Sequence, residues 1–264
     1  MAAVDAEMRR HIETVLARIE REEGVRVVYA AESGSRAWGF PSPDSDFDVR
    51  FIYVHPRLWY LGLDEGRDVI ERPLDERDVD LAGWDVRKAL RLLLRSNPAL
   101  YEWLVSPIVY RDDGVFRNRA APLFAAHASA RTLAHHYHAI AAGVWKRNID
   151  GHDAVRLKRY LYVARPLLSL QWVARQHTMP PMTMHELLAA CDVPADVRRA
   201  LDDLLALKRE TPELGDGPRV AAIDRWVLAQ IGALAPAGLS LSDAPASAQT
   251  RDAVDDLYRA TAGL

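Results

Sequence analysis

The chain has 264 residues, of which 49% are hydrophobic and 27% charged, with 34 basic and 37 acidic side chains giving a net charge of -3. This is globular composition with room for one large or two small cores, and it excludes a disordered chain or a nucleic-acid coat held by bulk positive charge. A single cysteine, Cys191, excludes an intrachain disulfide and a cysteine-rich zinc site, so a reducing cytoplasm is the expected compartment.

In chain order, an amphipathic helix is expected over residues 5–22, with Met8, Ile12, Val15, Leu16 and Ile19 on one face and Gly24 beyond its end. Residues 1–23 are charged throughout, unlike the apolar centre of a signal peptide. A strand over 25–31 leads into Gly34-Ser35, followed by Arg36-Ala37-Trp38 as a helix start. Glycine there lets backbone approach a ligand closely, and free N–H groups at a helix start favour anionic oxygens, so phosphate is the natural guest. Arg36 is a further phosphate-contact candidate, with a plain surface role as its alternative.

The next strand is expected over 47–54. Alternation along it sends Asp46 and Asp48 to one side and Phe47, Val49 and Phe51 to the other, into a core. Two carboxylates in one small volume stay ionised together only with a cation between them, and hard oxygen ligands suit Mg²⁺ or Mn²⁺. Residues 55–78 are rich in charge and read as a loop with one short strand near Val69. A third sheet strand over 79–84 offers Asp80, flanked by Val79 and Leu81, as the third acid. Asp85 directly precedes a helix over 86–95 and reads as its N-cap, while Asp78 shares a face with Asp80.

A helix over 98–105 starts with Pro98 in its first turn, an edge strand follows at 107–110, and Asp112-Asp113-Gly114 marks a boundary. Two domains are therefore expected, 1–112 and 113–264, an α+β sheet domain and then a helical bundle. The bundle helices are expected at 115–126, 128–147, 153–176, 185–191, 195–208 and 218–234, with a linker-like tail over 235–249 and a last helix over 251–260. The longest apolar stretch, 161–173, is broken by Arg165, Pro166 and Gln171, too short and polar to span a bilayer.

On the helix over 153–176, Lys158, Tyr162 and Arg165 fall at i, i+4 and i+7 and present two cations and an aromatic ring, which suits a triphosphate clamp with base stacking. A solvated basic face is the plainer alternative. Arg131 and His136 fit the loose Arg-x4-6-His pattern of HEPN ribonucleases, which helical sequences often meet by accident. A zinc site from His135, His136 and His138 is disfavoured, because adjacent helical residues point apart. The tryptophans sit mostly at apolar positions and read as core, Trp38 excepted because it adjoins the phosphate turn.

Gly34-Ser35, Asp46-Phe47-Asp48 and Val79-Asp80-Leu81, in that order, resemble the signature of the DNA polymerase β-like nucleotidyltransferase superfamily. More narrowly, Gly34 to Phe40, Ser45 to Arg50, Asp80 to Leu90, Ser96-Asn97-Pro98 and Glu102 to Tyr110 look like the bacterial predicted nucleotidyltransferases associated with RNA repair. Lys158 and Tyr162 with Arg165-Pro166-Leu167-Leu168 also look like a feature of that group, and the resemblance runs from about Tyr29 to Trp172. It implies a small mixed nucleotidyltransferase sheet with packed helices, an NTP substrate and two Mg²⁺ ions. Asp46 and Asp48 would bridge both ions, Asp80 would hold the one that activates the attacking hydroxyl, and Gly34 and Ser35 would bind the triphosphate. The implied reaction is NMP transfer with pyrophosphate release, onto an RNA 3′ end of tRNA or of a broken RNA under repair. A protein hydroxyl, as in AMP-transferring antitoxins, or a small molecule would serve the same chemistry, and a non-catalytic NTP-binding module is the non-enzymatic alternative.

Overall fold

A computed structural model describes residues 4–63, 65–212, 214–241 and 246–264. The first helix forms as α1 (Ala6–Glu23): the Asp5 carboxylate accepts the Met8 N–H at its start, and Gly24 ends it in the left-handed region at φ 63°. There follow β1 (Arg26–Glu32), α2 (Gly34–Ala37), β2 (Phe47–Val54), a 3-10 turn (Arg57–Leu61), β3 (Val69–Arg72), β4 (Val79–Asp85), α3 (Val86–Leu94), α4 (Pro98–Leu104) and β5 (Val109–Asp112). Local signals set these boundaries. Asp85 caps α3 by accepting the Arg87 N–H, as its position predicts, and Asn97 caps α4 ahead of Pro98.

The chain continues with α5 (Phe116–His127), α6 (Ala130–Asn148), β6 (Ala154–Arg156), α7 (Lys158–Gln176), α8 (Met184–Ala190), α9 (Ala195–Glu210), β7 (Asp216–Pro218), α10 (Ala221–Ala233) and α11 (Ala248–Ala262). Two expected helices, 153–176 and 218–234, start late because their first residues pair as an antiparallel ribbon, with Val155 opposite Gly217. Strands of three residues are too short to display a two-residue period, which is why alternation does not reveal them. Part of the linker-like tail expected over 235–249, residues 242–245, lies outside the described residues; Pro236–Gly238 within it forms a 3-10 turn. No described helix is long and apolar enough to cross a membrane.

The compact units are discontinuous along the chain rather than divided by one cut after residue 112. One comprises Met1–Ala37, Asp46–Ala128 and Ala244–Leu264; the other comprises Trp38–Ser45 and Ser129–Asp243. Helices α5 and α11 thus belong with the sheet. In the second unit, Trp145, Tyr160, Leu161, Leu167, Leu201 and Ile223 form a helical core that also takes in Phe40.

In the first unit the sheet order is β3-β4-β2-β1-β5, with β2 and β4 parallel and the other pairs antiparallel. The apolar stripe of α1, Ile12, Val15, Leu16 and Ile19, packs with Val49, Phe51 and Tyr53 of β2 and Val79 and Leu81 of β4. Alternation then sends Asp48 and Arg50 of β2, and Asp80 and Ala82 of β4, to the face away from α1. Burying the α1 stripe therefore fixes which side chains reach the opposite face. The Phe51 ring fills the space over Gly83, its opposite residue on β4, where a Cβ would come within 2.2 Å of the ring. We expect Gly83→Ala to lower stability in urea unfolding by about 1–3 kcal/mol through overpacking, and Phe51→Leu in the same chain to recover part of that loss.

Candidate active site

The parallel register of β2 and β4 puts Asp48 directly opposite Asp80. Neighbouring strands are ~4.8 Å apart and paired residues face one way, so the two carboxylates stand side by side. Asp46 lies one residue ahead of β2 and is exposed. Burial is the main cause of an Asp48 pKa above its ordinary value; Arg50 pulls it down, and the charges of Asp80 and Asp46 push it back up. Asp46 and Asp80 thus both act electrostatically on Asp48.

Arg50 completes the alternating series Asp46, Asp48, Arg50. Its Nη2 donates to Asp48 Oδ1 at 2.9 Å and to Asp80 Oδ2 at 2.8 Å, and its Nη1 donates to the carbonyls of Asp80 and Val49, each at 3.2 Å. One nitrogen touching both carboxylates leaves their oxygens no more than about 6 Å apart, near the ~4 Å spanned by two ligands of one Mg²⁺. Sequence reading passed over Arg50, although the alternation that pairs Asp46 with Asp48 marks it equally.

The Gly-Ser turn is fastened to the same strand: the Ser33 N–H donates to the Asp48 carbonyl at 2.8 Å. Gly34 has φ 58°, and a Cβ built on it would lie 2.0 Å from Asp48 Oδ2. Only glycine leaves space there for the carboxylate while holding a left-handed backbone. Ser35 is buried. The Arg36 guanidinium lies over the Phe47 ring at 3.8 Å, and its Nε donates to the Asp46 carbonyl at 3.1 Å, tying α2 to the start of the carboxylate series.

Beneath Asp48 lies a second carboxyl missed in the sequence, Glu32, with 0% exposure. Its Oε1 accepts the Asp48 N–H at 2.8 Å, and its Oε2 accepts the Tyr110 hydroxyl. Burial pushes its pKa up to about 7, against the pull of these two hydrogen bonds, with the Asp48 charge adding to the rise. It ends an otherwise apolar strand, and nothing local in the sequence separates it from an exposed strand terminus.

Among the described residues, no three His, Cys, Asp or Glu side chains converge tightly enough to hold an ion unaided. The donors at hand are carboxylate oxygens on adjacent strands beside a glycine turn. Mg²⁺ is usually held by one or two carboxylates together with substrate phosphates rather than by an all-protein cage, so Asp48 and Asp80, with Asp46 beside them, fit it.

Lys158, Tyr162 and Arg165 belong to α7 in the other unit. Tyr162 meets Trp38 and Phe40 edge-on, with ring centroids 5.8 and 6.3 Å apart. Arg165 is only 4% exposed: it lies over the Trp38 ring at 4.3 Å and donates to the Met182 carbonyl at 3.0 Å. The face read as an open clamp is therefore packed at Arg165 by aromatic residues of its own unit, while Lys158 and Tyr162 keep partial exposure. Arg131 donates to the Leu241 carbonyl at 2.9 Å and the His138 ring bonds the Ile231 carbonyl at 3.0 Å, both ordinary packing contacts.

The mixed sheet and the paired carboxylates beside a Gly-Ser turn agree with the polymerase β-like nucleotidyltransferase class that the motifs resemble. The family described as "RNA repair pathway DNA polymerase beta family" matches residues 8–260, and the chain belongs to it. It is also similar to the uncharacterized protein YcgL of Bacillus subtilis (strain 168), with 38% identity over 252 residues, covering 96% of this chain and 94% of that protein.

Two outcomes are expected here. Gly34→Ala forces Asp48 out of place, so it should lower the urea midpoint and, in a nucleotide-transfer assay, cut turnover at least about tenfold. For Glu32, the folded pKa of about 7 exceeds the ordinary 4.5, so its neutral form stabilises the fold. That contribution is complete below pH 4.5 and is lost as pH rises through 7. Unfolding measured between these limits should show wild type losing on the order of 3 kcal/mol that Glu32→Gln does not lose.

Proposed function

We propose that this chain is a metal-dependent nucleotidyltransferase that moves NMP from an NTP to an acceptor hydroxyl with release of pyrophosphate. The observation that carries this reading is the in-register pairing of Asp48 with Asp80 on parallel strands, beside the glycine turn that abuts Asp48. Asp46, Asp48 and Asp80 are the residues that would hold the metal. Bound Mg²⁺ would supply charge stabilisation for the attacking and leaving oxygens of an in-line displacement.

The chain's own contribution is orientation. The Ser33 to Asp48 bond holds the turn against β2 with Gly34 beside the Asp48 carboxylate, and we assign the triphosphate to the backbone of Gly34 and Ser35. Arg36, anchored on Phe47, is the side chain we assign to an outer phosphate. Asp80, with its side chain 40% exposed, is the more open of the opposed pair and is where we place the acceptor hydroxyl. Glu32 fixes the Asp48 backbone from below.

An RNA 3′ end is the acceptor we favour, because the family to which the chain belongs is described by an RNA repair pathway. Protein or small-molecule hydroxyls would require the same donor chemistry. The test supplies labelled NTPs, Mg²⁺ and mixed RNA to the full chain. Label should enter RNA with wild type and fall at least about 100-fold with Asp48→Asn, while the melting temperature stays within a few degrees. Absence of transfer to any RNA by concentrated wild type would count against the RNA assignment, and label on a protein would move the acceptor there.

A further inference from the structure

We propose that Arg50 is the resident counter-cation of the site: its guanidinium holds Asp48 and Asp80 together and must leave before a divalent ion can take both carboxylates. This rests on the reading of Asp48 and Asp80 as metal ligands. A single nitrogen, Nη2, is shared by Asp48 Oδ1 at 2.9 Å and Asp80 Oδ2 at 2.8 Å. The other, Nη1, is held by the Asp80 and Val49 carbonyls, so the side chain is fixed by bonds from both strands. At 18% exposure it is the least exposed of the three groups, beneath carboxylates at 31% and 40%.

Two consequences follow from charge. Without a cation, paired carboxylates at this spacing repel, and Arg50 relieves that repulsion in the metal-free protein. A divalent ion taking both carboxylates would compete with the guanidinium for Asp48 Oδ1 and Asp80 Oδ2. Uptake of metal is then an exchange of cations. The freed guanidinium needs a new anionic partner, and the triphosphate of the donor nucleotide is the one the proposed reaction supplies. Arg50 is in this sense a positioning residue that couples metal loading to nucleotide binding.

The test counts bound Mn²⁺ by electron paramagnetic resonance on the full chain, with and without a non-hydrolysable NTP. Wild type should bind Mn²⁺ weakly alone and more tightly with nucleotide. Arg50→Gln should bind Mn²⁺ without nucleotide at least about tenfold more tightly than wild type, and should gain less from added nucleotide. Arg36→Gln is the control for a charge supplied from outside β2, because Arg36 also lowers the Asp48 pKa while its Nε donates to the Asp46 carbonyl. Equal tightening by both variants would overturn the exchange, as would equal Mn²⁺ affinities of wild type and Arg50→Gln. Should Arg50→Gln not fold, Arg50→Met carries the same comparison, since it too removes the cation while keeping an unbranched side chain; unchanged Mn²⁺ affinity there would also overturn it. Failure of wild type to bind Mn²⁺ even with any NTP sinks the nucleotidyltransferase reading instead, separately from these comparisons.

Discussion

The parallel pairing of β2 with β4 is the constraint on which the site depends. In a two-residue period, a slip of one position would turn Asp80 toward α1 and bring an apolar residue to face Asp48. The register is held from the buried side: Phe51 against Gly83, and the α1 stripe against Val49, Val79 and Leu81. Hydrophobic burial on one face thus determines electrostatics on the other, and the carboxylate pair is a by-product of how the core closes.

A pair of adjacent carboxylates is costly for a fold, and here it is offset locally. Arg50 supplies positive charge from the same strand, and Glu32 accepts the Asp48 backbone N–H from a buried position. The Gly34 turn approaches so closely that no side chain can be placed between it and Asp48. The resulting cluster has two acids in direct contact with a guanidinium, a third acid at the rim and a partly neutral acid beneath. Such opposed environments cluster at functional sites.

Much of this was legible in the sequence because it is local. Alternation over 46–51 marked the shared face of Asp46 and Asp48 at the start of an apolar strand, and apolar neighbours marked Asp80. The helix cap at Asp85 was equally plain, since capping is a matter of a few adjacent residues. What escaped depends on partners distant in sequence. Glu32 is defined by Tyr110, and the burial of Arg165 by Trp38, neither of which a helical wheel or a strand pattern can supply. The β6 and β7 ribbon is too short to carry a period, and the return of α11 to the sheet unit is a long-range contact. Arg50 is different: alternation places it on the face of Asp46 and Asp48, while its bond to Asp80 comes from another strand.

We propose that Asp48 and Asp80 jointly bind a cation next to a phosphate held at the Gly34 turn. Crystals of the full chain grown with Mn²⁺ and a non-hydrolysable NTP, with anomalous scattering recorded for manganese, address it most directly. A manganese peak is expected about 2.1 Å from an oxygen of each carboxylate, with phosphate density against the Gly34 and Ser35 backbone. A manganese peak elsewhere, or nucleotide bound away from that turn, would contradict it.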